Sequence, residues 1–129
     1  MEVNVVVSLG ELVDKITILE IKKKNINDKE KLEKINFELN NLLAKLKKLE
    51  IETEAFKDLK TRLKNVNQEL WIIEDDIRKL EKEKTFNQDF INLARSVYFT
   101  NDKRFELKNQ INTLFNSAVA EVKSYENYQ

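Results

Sequence analysis

Apolar residues along this chain follow helical spacing almost throughout. Leu32, Ile35, Leu39, Leu42, Leu46 and Leu49 alternate steps of three and four, the rule of a coiled-coil seam. A second run, Phe56, Leu59, Leu63, Val66, Leu70, Ile73, Ile77 and Leu80, follows the same rule in a different phase. The phase change near "EIETEAF" predicts a turn, with Thr53 as the N-cap of the next helix and Glu54 and Asp58 in its first turns. Two such helices read as a long antiparallel hairpin over 28–84, with arms of roughly 30–45 Å at ~1.5 Å per residue.

The flanking segments carry other patterns. "VNVVV" (3–7) is β-branched and predicts a strand. Ser8 and Glu11 stand three apart, the spacing of a capping box, and Val7 and Leu12 fit a hydrophobic staple. The helix that follows, over 8–24, is apolar on most sides and should be buried. Asn87 caps a fourth helix, in which Phe90, Ala94 and Val97 face the core. "FTND" is expected to interrupt it, with Asn101 and Asp102 capping a fifth helix that presents Leu107, Ile111, Leu114 and Ala118. Residues 119–129 read as an extended tail able to pair with residues 3–7 as a small ribbon. The expectation is one all-α domain over 1–129: the hairpin, two helices over 87–118 packed at its base, and a minor terminal ribbon.

Composition narrows the chemistry. One glycine and no proline leave few cheap helix breaks and argue against an all-β fold. Lys plus Arg and Asp plus Glu number 23 each, so no basic excess points to nucleic acid. There is no cysteine and no histidine, which removes disulfides, thiol nucleophiles and the commonest neutral metal ligand. No metal and no cofactor is expected. No apolar run reaches the ~20 residues of a membrane span, and the N-terminus lacks a signal-peptide pattern, so a cytoplasmic location is the expectation.

The candidate chemistry centres on arginine. Only Arg62, Arg78, Arg95 and Arg104 occur in a chain that otherwise uses lysine, and the guanidinium fork grips carboxylate or phosphate with paired bonds. Asn67, Trp71, Glu74, Arg78 and Glu81 recur at helical spacing beside the apolar seam. They are open to two readings, a structural polar network or a ligand site. Arg95 and Tyr98 share a helix face, as do Arg104 and Lys108, and a helix N-terminus beside Arg104 could hold an anion. Asp14 and Lys15 lie on a helix too apolar to leave both solvated, so at least one must be paired or at a rim. The ligand candidates are thus Asp14, Lys15, Trp71, Glu74, Arg78, Arg95, Tyr98, Arg104 and Lys108. Nucleotide loops and Ser/His or Cys/His pairs are absent.

The segments "SLGELVDKITILEIKKKNI", "VNQELWIIEDDIRKLE", "DFINLARSVYFTNDKRFELKNQIN" and "EVKSY" resemble, in order and spacing, a family of short proteins from bacteria and their viruses catalogued as a domain of unknown function. The match covers essentially the whole chain, although 29–64 agrees only in its leucine pattern. The chain departs from the family where Asn116 and Val122 stand in place of a frequent glycine and glutamate. The resemblance supports the helical fold and implies no activity.

Two functions follow as expectations. The first is a non-enzymatic binding or assembly module, recruiting a protein partner or a second copy through helices. The alternative is a site, enzymatic or not, for an anionic small molecule such as a phosphate or sugar nucleotide, at the base of the hairpin.

Overall fold

The computed structural model describes residues 1–115. Within them the chain forms α1 (Leu9–Asn25), α2 (Lys29–Lys48), α3 (Glu54–Lys82) and α4 (Gln88–Leu114). Each begins at a side-chain cap. Ser8 Oγ accepts from the Glu11 N–H at 3.1 Å, and Asp28, Thr53 and Asn87 do the same for the N–H groups of Lys31, Phe56 and Phe90. Two of the ends are costlier. Glu50, just past α2, and Lys84, just past α3, adopt φ of 52° and 56°, where glycine is the usual residue. The chain's one glycine, Gly10, is used elsewhere.

α1 is the centre. It packs against α2 on one side and against both α3 and α4 on the other, while α3 and α4 pair along their length. One apolar core joins Val13, Ile16 and Leu19 of α1 to Ile35, Leu39 and Leu46 of α2, to Phe56, Leu59, Leu63 and Val66 of α3, and to Leu107 and Ile111 of α4. Burying such a side chain stabilises by about 1.5–3 kcal/mol relative to exposure. At one end Phe56 meets Phe115 edge to face at 6.0 Å.

Three expectations fail here. The closely paired helices are α3 with α4 and α1 with α2, not α2 with α3. The heptad seam of α2 turns onto α1, which is apolar enough to serve as a shared centre. Residues 100–102 do not break α4: Thr100 and Asp102 are buried within it. Neither glycine nor proline stands there, and packing overrides the weak preference of Thr, Asn and Asp for helix ends. Finally, Met1–Val7 carry no ladder and no strand, and all seven side chains are exposed. The expected ribbon partner, 119–129, and the helical position of Ala118 lie outside the described residues.

Candidate functional site

The face of α1 turned towards α3 and α4 is polar. Asp14, 1% exposed, sits at its middle. Arg104 of α4 binds it bidentately, Nε to Oδ1 at 2.9 Å and Nη2 to Oδ2 at 2.5 Å. Asn67 of α3 donates from Nδ2 to Asp14 Oδ1 and to Thr17 Oγ1, both at 2.9 Å, and the Thr17 hydroxyl donates to the Asp14 carbonyl at 2.8 Å. One turn earlier, Lys108 donates to Glu11 Oε2 at 2.7 Å and stands 4.0 Å from Asp14 Oδ2. The Glu11 carboxylate, which the capping box would have sent back to Ser8, is therefore used between helices.

Isolating either charge in such a place would cost several kcal/mol, so the layer persists because Asp14 and Glu11 meet Arg104 and Lys108 and both Asp14 oxygens accept hydrogen bonds. Gly10 lets the helices close at its upper end. Its N–H donates to Asn112 Oδ1 at 2.7 Å, and a Cβ there would lie 2.4 Å from the Lys108 carbonyl oxygen.

Next to this layer, and sharing Asn67 and Arg104 with it, α1 and the α3/α4 pair line a cleft of about 450 Å³. Ile18, Ile21 and Leu70 form apolar wall, and Asn67, Trp71, Glu74, Asp75, Arg78, Asn101 and Arg104 add the rest of the lining. Arg78 is well exposed and its Nε lies a loose 3.6 Å from Glu74 Oε2. Arg104, whose side chain is 30% exposed, links cleft and buried layer.

Of the nine candidates, Trp71, Glu74, Arg78 and Arg104 thus share the cleft. Asp14 and Lys108 lie in the layer beside it. Lys15 is exposed on α1, outside the lining. Arg95 and Tyr98 are outside it too. Arg95 stands over the Phe99 ring at 5.8 Å, and the Tyr98 ring lies 5.1 Å from that of Phe99. Both lie on a different side of α4 from Arg104. Asn101, expected as a cap, instead lines the cleft, and Asp102 is a buried interior residue of α4. Thr17, Asn112 and Asp75 were not among the ligand candidates, although Asp75 and Asn112 are polar positions shared with the family pattern. Only the i, i+3 spacing of Asp14 and Thr17 hinted at the first.

A family model covers residues 1–128. The chain belongs to DUF6165, a family of unknown function. No curated protein and no solved structure matches it. In this DUF6165 chain no described helix is long and apolar enough to cross a membrane. Among the described residues no group of three or more acidic side chains is placed to hold a metal ion.

Proposed function

We propose that the cleft binds a small anionic ligand of the sugar-nucleotide class. The observation carrying this reading is that Trp71, Glu74, Arg78 and Arg104, picked out in the sequence by residue type and spacing, line one cavity with Asn67 and Asn101. Its volume of about 450 Å³ falls within the ~300–1,000 Å³ of ordinary ligand sites. The α3/α4 pair acts in this reading as a coiled-coil hairpin with the cleft at its base.

Roles follow from how each group is engaged. Arg104 is largely spent on Asp14, whereas Arg78 is held only by a long, exposed contact to Glu74 and can turn to a phosphate. Trp71 offers a flat face for a base or sugar ring. Glu74 and Asp75 repel a bare phosphate but accept hydrogen bonds from hydroxyls, which favours a ligand carrying sugar as well as phosphate.

Trp71 is the only tryptophan, so intrinsic fluorescence reads the cleft directly. Titration with a nucleoside diphosphate sugar should give saturable quenching, with inorganic phosphate at least ~10-fold weaker, a difference of about 1.4 kcal/mol. Arg78→Ala should weaken the effect while leaving the circular dichroism unchanged. A flat titration with nucleoside diphosphates and their sugars, or binding indifferent to Arg78→Ala, would overturn the proposal.

A further inference from the structure

Beyond the cleft, α3 and α4 continue as a two-helix arm. From Gln68 to Phe99 not one residue is buried. Yet α3 repeats Leu70, Ile73, Ile77 and Leu80 along this stretch, and α4 carries Phe90, Leu93 and Val97, all only half-buried. Ile72, Phe86 and Ile91 are exposed outright. Two helices alone leave such a seam open on its flanks; four close it.

The arm's charge is segregated along its length. Between Glu69 and Asp76 stand Glu69, Glu74, Asp75 and Asp76, with no basic residue. From Ile77 to the tip stand Arg78, Lys79, Lys82 and Lys84 against Glu81 and Glu83. On α4, Asp89 near the tip and Arg95 nearer the body reduce this asymmetry without reversing it.

We propose that the arm packs antiparallel against the same arm of a second copy, forming a four-helix bundle about a two-fold axis. The antiparallel arrangement sets each basic tip on the other copy's acidic base, whereas a parallel one would set like charge on like. A two-fold contact is self-complementary and closes at two copies. Each helix of the arm is only ~20 Å long, so the contact is smaller than the ~800 Å² per partner of a standard interface, and the dimer should be concentration-dependent.

Sedimentation velocity on the full chain from about 5 to about 500 µM spans the affinities such a contact can have. A monomer–dimer equilibrium is expected, weakened by added salt. Lys79→Glu with Lys82→Glu should raise the dimer Kd at least ~10-fold, and adding Glu69→Lys with Asp76→Lys should restore it. These four positions lie outside the cleft lining, so the result is independent of any ligand there. A chain that stays monomeric across the range, including one whose arm takes up a different protein instead, would overturn the proposal. So would a dimer indifferent to the charge exchange.

Discussion

Arg104 closes on Asp14 from ninety positions along the chain, and the two share a bidentate contact beside the cleft. Asp14→Ala should therefore do more than delete one bond. It removes the carboxylate that Arg104 grips with two bonds and that Asn67 and Lys108 also face. A loss of about 3–5 kcal/mol in urea unfolding is expected, the range for breaking a buried pair from one side.

Asn67 supplies the third hold on the same carboxylate. Asn67→Leu should cost about 1–3 kcal/mol by leaving Asp14 and Thr17 one donor short. Asn67→Asp should be worse near neutral pH, because it sets two carboxylates against each other. That penalty should shrink as pH falls, since protonating the introduced carboxyl relieves the repulsion and restores a donor. Unfolding curves at pH 7 and pH 5 check the sign.

Gly10→Ala should destabilise although alanine is the better helix former by about 1 kcal/mol. The new Cβ would stand 2.4 Å from the Lys108 carbonyl oxygen and 2.9 Å from Asn112 Oδ1, and the first of these is backbone that cannot swing aside. A net loss of about 1–3 kcal/mol is expected, read as a lowered Tm.

Glu50 and Lys84 point the other way. Both hold left-handed backbone without glycine's freedom. Glu50→Gly and Lys84→Gly should each raise stability by roughly 0.5–1 kcal/mol, or a few degrees in Tm, and the two should add because they end different helices.

The sequence was most informative where structure is local. Ser8, Asp28, Thr53 and Asn87 announce four helix starts because a capping side chain acts within three residues of itself. It misled at residues 100–102, where Thr, Asn and Asp have the chemistry of a helix start but lie in a helix held by distant packing. Helix pairing was equally hidden, since the α2 seam is satisfied by any apolar face and α1 competes for it. In the site, spacing on one helix brought out Trp71, Glu74 and Arg78 together. Arg104 stood out as an arginine sharing a face with Lys108, and its bond to Asp14 follows from how three helices meet. Arg95 and Tyr98 were placed with the site by residue type, which does not say which face of α4 meets α1 and α3.

The polar layer also sets the order in which the molecule can be completed. Glu11 and Asp14 leave the ribosome long before Lys108 and Arg104, and at about 5–20 residues per second the ninety-residue gap lasts roughly 5–20 s. Through that interval α1 has a finished apolar side for α2 but two carboxylates with no cation from α4 to meet. The α1/α2 pair can collapse early, but its charged side has to stay wet until α4 is made. Docking of α1 against α4 thus waits for residues 104–108, and a nascent chain stopped before residue 104 should remain open to protease along α1.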